Sequence, residues 1–363
     1  MRLLLAGGGT GGHLFPAVAL AQRLLRQDET AAVHFVGTER GLEQRLLPKL
    51  GFDLSTLDMV GVVGRGWKGR LEVGPKLAKS LVQAKKILAG FKPDVVIGVG
   101  GYASVPVLTM AKMTGLPYLI HEQNAIPGLS NRLLGKGAQR VCLSFADSGS
   151  GFAADKIVVT GNPLREGLDD IPAELPDPGK LLIFGGSRGA SAINQTVCEM
   201  LPRLKELEVS PHILHQTGES DLESVRQSYR TAGFDEEQVV PFIDDMAAAY
   251  TDASLVVCRA GATTLAELTV CGRPAILIPF PHATGDHQTA NARALKRVGA
   301  AVLLPQPELT AERLAKLVKN LLADRQTLRH MAAQGRQLGQ PGAAARILNE
   351  CRRVLGRPLV EGV

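Results

Sequence analysis

One local pattern recurs along the chain and constrains the fold more than any other feature. A short run of branched aliphatic residues leads into glycines, and a longer amphipathic stretch follows. It appears as RLLLAGGGTGG (2–12), VHFVGTERG (33–41), DVVIGVGGYAS (94–104), KLLIFGGSRGA (180–190) and SLVVCRAGATT (254–264). Strands alternating with helical stretches predict βαβ units and a parallel sheet flanked by helices. The landmarks also repeat in order: two strand–glycine loops then GLPYLIHEQN (115–124), and again two strand–glycine loops then GRPAILIPFP (272–281). This predicts an α/β protein of two similar doubly wound domains. A chain of 363 residues has room for both cores. The acidic, Pro-rich stretch GNPLREGLDDIPAELPDPGK (161–180) has linker composition, which puts the hinge there. The expected domains are 1–162 and 163–341. A last helix, in 342–363, either caps the second domain or straps back to the first.

Composition narrows the function classes. Aromatics are only 4% of residues, which argues against a stacking platform for single-stranded nucleic acid. The cysteines (142, 198, 258, 271 and 351) are odd in number, lack any CxxC pair and mostly lie in apolar runs. They read as buried thiols in a reducing compartment. MRLLLAGGG is too short for a signal peptide, and the uncharged run 95–111 is broken by Gly98, Gly100, Gly101 and Pro106, so no span is expected. The net charge of +6 is unevenly spread. Residues 65–92 carry Arg65, Lys68, Arg70, Lys76, Lys79, Lys85, Lys86 and Lys92 against Glu72 alone, suggesting an anionic partner.

Ligands of open parallel sheets bind beyond the carboxyl ends of the strands, where each glycine loop falls. There the backbone approaches a ligand closely and a helix N-terminus favours phosphate. The first loop matches neither of two common nucleotide patterns. VHFVG ends in Gly37 where a ribose-binding acid belongs, with Glu39 and Glu43 too late. His13 and Leu14 replace the Lys and Ser/Thr of a Walker loop. His13, directly after the loop at a helix start, is the candidate general base. His121, Glu122 and Asn124 form a polar cluster closing another strand. Thr263 and Thr264 are read as caps of a helix whose early turn holds Glu267, either a capping acid or a ribose ligand. The histidines of PHATGDHQTANA (281–292) fit no standard zinc spacing, and no D-x-D occurs.

Taken together, GGGTGGHLFPA (7–17), GVGGYASVP (98–106), HEQNAIPGLSNRLL (121–134), GNPLR (161–165), FGGSRGA (184–190), RAGATTLAE (259–267) and PFPHATGDHQTANA (279–292) resemble the MurG family. Its members are bacterial peptidoglycan glycosyltransferases that add N-acetylglucosamine to undecaprenyl-diphospho-muramoyl-pentapeptide. The resemblance covers nearly the whole chain and implies a GT-B fold, two Rossmann-like domains facing a cleft. It implies an inverting transfer to the muramoyl 4-hydroxyl, without a cofactor or metal. The donor, UDP-N-acetylglucosamine, would lie mainly on the second domain. Ile243 would meet uracil through its backbone, and Glu267 the ribose. Ser187, Arg165, Ala262, Thr263 and Thr264 would hold the diphosphate, and Gln288 the sugar. Thr10, Gly11, Gly12 and Asn124 would close over the donor from the first domain. Gly9, His13, Gly100, Gly101, Tyr102, Ser104, His121 and Glu122 would serve the acceptor, with His13 as base. The alternatives are a UDP-sugar epimerase of shared architecture and, behind it, an NAD-dependent dehydrogenase.

A substrate tethered by an undecaprenyl tail implies a peripheral protein on the cytoplasmic face of the cell membrane. Pro75 is expected to start a helix to about Leu88, with Leu77, Leu81, Val82 and Leu88 on one face. Lys76, Lys79, Lys85 and Lys86 flank that face, and Trp67 lies near one end. This pattern suits the boundary of an anionic bilayer, though a core-facing surface helix shares it.

Overall fold

The computed structural model describes residues 1–39, 41–59, 73–186 and 189–360. The chain divides into two compact units, Met1–Arg165 with Gly342–Val363, and Glu166–Pro341. The first is built on a sheet of β1 (Arg2–Gly7), β2 (Ala32–Thr38), β3 (Leu54–Leu57), β4 (Val95–Gly100), β5 (Tyr118–Glu122), β6 (Arg140–Leu143) and β7 (Ile157–Val159). Their spatial order is β3-β2-β1-β4-β5-β6-β7, with every pairing parallel. The second contains β8 (Lys180–Phe184), β9 (Ile213–Gln216), β10 (Val239–Val240), β11 (Ala253–Cys258), β12 (Ala275–Leu277) and β13 (Ala301–Leu303). These run in the order β10-β9-β8-β11-β12-β13, also parallel throughout. Strand for strand, the second order repeats the first six positions of the other sheet.

Strand alternation builds the layers. In β1, Leu3 and Leu5 pack with the helix Gly11–Gln27, while Leu4 and Ala6 join the opposite face with the helices Val73–Phe91 and Ser104–Met113. The central strands β4 and β11 are buried along their whole length, as continuous apolar runs between two helical layers must be. Each fully buried Leu or Val contributes roughly 1.5–3 kcal/mol.

The final helix, Ala343–Val354, lays Ile347, Leu348 and Cys351 into the β1–β4 core of the first unit. Arg346 fastens it there by donating to the Thr160 carbonyl through Nε (3.0 Å) and Nη2 (2.8 Å).

The segment with linker composition is held mainly by the second unit. Arg273 and Arg336 donate to the Pro172 carbonyl and Arg325 to the carbonyls of Leu175 and Pro176, while Leu168 and Leu175 are buried. Proline and acid here fit a chain pinned through its carbonyls, a pattern that looks the same in sequence as a loose linker. The division falls between Arg165 and Glu166, so Arg165 belongs to the first unit, with its guanidinium 4.6 Å from the Phe15 ring centre.

The helix expected from Pro75 runs from Val73 to Phe91. Leu88 and Ala84 are core residues, and Leu81, Ile87 and Phe91 pack against them. Lys79 and Lys76 reach Asp58 (2.8 and 3.8 Å). The expected apolar face therefore points largely inward, leaving Val82, Lys85 and Lys86 exposed. Trp67 lies outside the described residues. Among those described, no helix is long and apolar enough to cross a membrane.

Candidate active site

In each sheet the chain reverses its winding beside the first strand, between β1 and β4 and between β8 and β11, where open sheets bind ligands. The glycine loops meet there. Gly7 has φ +145°, and a Cβ on it would overlap the Gly100 carbonyl, so the β1 and β4 loops touch only because position 7 is glycine. Thr10 precedes the helix Gly11–Gln27, placing His13 in its first turn. The His13 Nδ1 lies 3.4 Å from the Gly8 carbonyl and 3.5 Å from the Thr10 hydroxyl, and its Nε2 edge lies against Gly100. Thr10, Gly12 and Tyr102 are exposed.

Several expected acceptor contacts are internal fasteners instead. Gly9 gives its N–H to the Glu43 carboxylate (2.8 Å), a buried acid that the motifs did not mark as functional. Ser104 is buried and donates to the Gly101 carbonyl (2.8 Å), tying the loop of Gly100, Gly101 and Tyr102 to the following helix.

At the end of β5, His121 is fully buried. Its Nδ1 faces the Gln123 amide (3.1 Å), and its Nε2 the Gly161 carbonyl (3.2 Å) and the Ser144 hydroxyl (3.4 Å). Burial lowers its pKa to about 4, and the nearby His13 adds to that shift. Glu122 is buried too. It accepts from the backbone of Asn124 (3.0 Å) and Gly128 (2.9 Å) and from the Asn131 amide (2.8 Å). Both residues shape the loop carrying Asn124 rather than offering their own polar atoms to a ligand.

In the second unit, Gly189 (φ +75°) lies so close to the Thr217 carbonyl that a Cβ would overlap it. The β8 loop is fastened by Gln216, whose Nε2 donates to the Gly186 carbonyl (2.9 Å) while its Oε1 accepts from the Ile243 N–H (3.2 Å). The backbone expected to read uracil is thus bridged to the glycine loop by one neutral amide. Beneath it, His215 joins Tyr229 and Asn194 (3.1 Å each), and Asn194 donates to the Thr217 carbonyl (2.9 Å). Burial lowers the His215 pKa to about 3.

The helix after β11 spans Ala262–Cys271 with Gly261 as its cap, so Thr263 and Thr264 are interior rather than capping residues. Its first turn holds no acid, which excludes a capping role for Glu267. Glu267 is buried and accepts from the Tyr250 hydroxyl (3.0 Å). Gln288 accepts from the Phe280 N–H (2.9 Å), so its amide hydrogens are what it can offer a sugar. Ser187 lies outside the described residues. Within the first unit the fold thus gathers Gly9 to His13 with Gly100 to Ser104. In the second, Ala262 to Glu267 follows β11 while Ile243 is tied to the β8 loop. Sequence reasoning missed Glu43, Gln216, Tyr250 and His215.

The N-terminal domain of glycosyltransferase family 28 matches residues 3–143, and the C-terminal domain of that family matches residues 180–347. A "UDP-N-acetylglucosamine--N-acetylmuramyl-(pentapeptide) pyrophosphoryl-undecaprenol N-acetylglucosamine transferase" from Syntrophotalea carbinolica is 57% identical over 98% of this chain and 100% of its own length. A Myxococcus xanthus protein of the same name is 48% identical, over 97% of this chain and 92% of its own. The crystal structure of Acinetobacter baumannii MurG superposes with a TM-score of 0.77 at 35% identity, over 97% of this chain and 99% of that one. The chain belongs to the MurG family. As a MurG-family member it is a glycosyltransferase of GT-B fold. A UDP-GlcNAc 2-epimerase from Neisseria meningitidis matches at TM-score 0.65 but 15% identity, sharing the fold alone, and the epimerase reading is set aside.

Proposed function

We propose that the chain transfers N-acetylglucosamine from UDP-N-acetylglucosamine to the 4-hydroxyl of the muramoyl sugar of undecaprenyl-diphospho-muramoyl-pentapeptide. The observation that carries this reading is the match to relatives named for that transfer, along essentially all of both chains. The local geometry agrees with it. In the first unit a histidine is held at the sheet edge by a glycine loop. In the second, a glycine loop is linked to the Ile243 backbone, and a buried acid lies on the helix after β11.

The chemistry is a single displacement with inversion. The acceptor oxygen forms its bond to C1 as the C1–O bond to the diphosphate breaks and UDP departs. His13 Nε2 takes the proton from the hydroxyl. Glu267 receives the ribose hydroxyls, the Ile243 backbone meets the uracil, and Ala262 to Thr264, with Ser187, favour the departing diphosphate. Gln288 holds the sugar. On the acceptor side, Gly100, Gly101 and Tyr102 meet the diphosphate. Incubation with UDP-N-acetylglucosamine and a short-chain acceptor lipid tests the reading. The product expected is the β1–4 disaccharide lipid, and release of free N-acetylmannosamine with no disaccharide would overturn it.

The enzyme works at an anionic membrane surface, which the tethered acceptor requires. Val82, Lys85 and Lys86 stay exposed on the helix Val73–Phe91. That helix packs on Ser104–Met113, which in turn packs on Leu129–Gly135. These two neighbours expose Met113 (72%), Leu129 (58%) and Leu133 (67%). Each basic residue near such a surface adds ~1 kcal/mol. Changing Lys85 and Lys86 to Gln should weaken binding to anionic vesicles about 10- to 30-fold at low salt. Equal cosedimentation of parent and variant would remove this face from the account.

A further inference from the structure

Glu43 belongs to none of the motifs above, yet the first unit is built around it. It is fully buried at the start of the short helix Glu43–Leu46. Its Oε1 accepts from the Thr38 N–H and hydroxyl (2.9 Å each), and its Oε2 from the Gly9 N–H (2.8 Å). Glycines make the space it fills. A Cβ on Gly8 would stand 2.6 Å from Oε1, one on Gly37 would stand 2.7 Å from Cγ, and one on Gly41 would overlap the carboxylate. A buried carboxylate costs several kcal/mol unless donors surround it. Here three do, and one belongs to the loop that carries the histidine.

The consequence runs along the backbone. Holding the Gly9 N–H fixes the Gly8–Gly9 peptide, whose Gly8 carbonyl faces His13 Nδ1 at 3.4 Å. A carbonyl only accepts, so this contact is a hydrogen bond only in the tautomer with the hydrogen on Nδ1, where the Thr10 hydroxyl 3.5 Å away accepts as well and the lone pair is left on Nε2. We propose that Glu43 is a positioning residue that sets the His13 tautomer through the Gly9–Gly8 peptide. The carboxylate occupies a loop N–H that an anion would otherwise use, so Gly9 serves the histidine rather than a phosphate. The proposal rests on the reading of His13 as the base.

Glu43→Gln keeps the shape but offers one oxygen to donors on two sides, so its amide must face an N–H. Its kcat should fall ~10- to 100-fold with donor KM within about two-fold. The acid limb of the kcat/KM profile should shift, and ring ¹⁵N signals of His13 should move from the Nδ1–H tautomer toward a mixture. Thr38→Val removes a donor to the same carboxylate and leaves the Gly9 bond. It should lower Tm while keeping the pH profile and the ring signals. A Glu43→Gln protein of lower Tm but parental pH profile and ring signals would overturn the proposal. So would an Nε2–H tautomer of His13 in the parent, a result that needs no variant to fold. Full turnover in His13→Ala would instead sink the base reading, leaving the tautomer measurement to stand by itself.

Discussion

The two glycine loops occupy the same place in two sheets of the same strand order, yet they are fastened by opposite means. The first gives its Gly9 N–H to a buried carboxylate, Glu43. The second is held from below by a neutral amide, Gln216, which donates to its Gly186 carbonyl and bridges to the Ile243 N–H. A negative group under the first loop opposes a second anion nearby, whereas a neutral amide leaves the second loop suited to a diphosphate. Similar loops in sequence therefore differ in electrostatics, and the difference matches the proposed division of labour: a histidine presented in one unit, the nucleotide in the other.

Three experiments probe that contrast. The largest effect is expected for His13→Ala, where turnover should fall ~10²–10⁴-fold; steady-state rates within a few-fold of the parent would show that the first loop does not present a base. Next, Gln216→Glu gives the second loop the charge of the first. One carboxylate oxygen can still accept from Ile243, but the other faces the Gly186 carbonyl, and UDP affinity should drop roughly ten-fold. Unchanged affinity by calorimetry would mean that charge beneath the loop does not separate the two units. The smallest effect is shared. His121 and His215 are buried neutral, with pKa lowered to about 4 and about 3. The unfolded chain takes up those protons below about pH 6.5 and the folded chain resists, so stability is full above 6.5 and falls as the pH drops toward the folded values. Thermal midpoints should decline from pH 6.5 to 4, and His215→Gln should flatten part of the slope. A parental slope in that variant would assign the acid sensitivity elsewhere.

The repeated strand and loop pattern was legible because it is local: β1, β4, β8 and β11 are short apolar runs ended by turn residues, and neighbours in sequence make them so. The fasteners were not legible, because their partners are remote. Gly9 and Glu43 are 34 residues apart, as Gly186 and Gln216 are 30 apart. Glu43 looked like an acid arriving too late for a ribose, and nothing nearby in sequence announces the glycine cradle. The helix Val73–Phe91 misled for another reason. A stripe of Leu with flanking Lys fits a bilayer or a protein core equally, and the core took Leu81 and Leu88. Thr263 and Thr264 looked like caps because they follow a glycine, but the helix starts at Ala262, before either hydroxyl.

The central claim is that nucleotide recognition lies with the second unit while the first supplies the base. The direct measurement is calorimetric titration of UDP into the parent, Glu267→Ala and His13→Ala proteins. The account predicts a roughly 10- to 100-fold loss of affinity in Glu267→Ala, the worth of hydrogen bonds to a charged group, and affinity within about two-fold of the parent in His13→Ala. The reverse pattern, with UDP binding unchanged in Glu267→Ala and lost in His13→Ala, would contradict it.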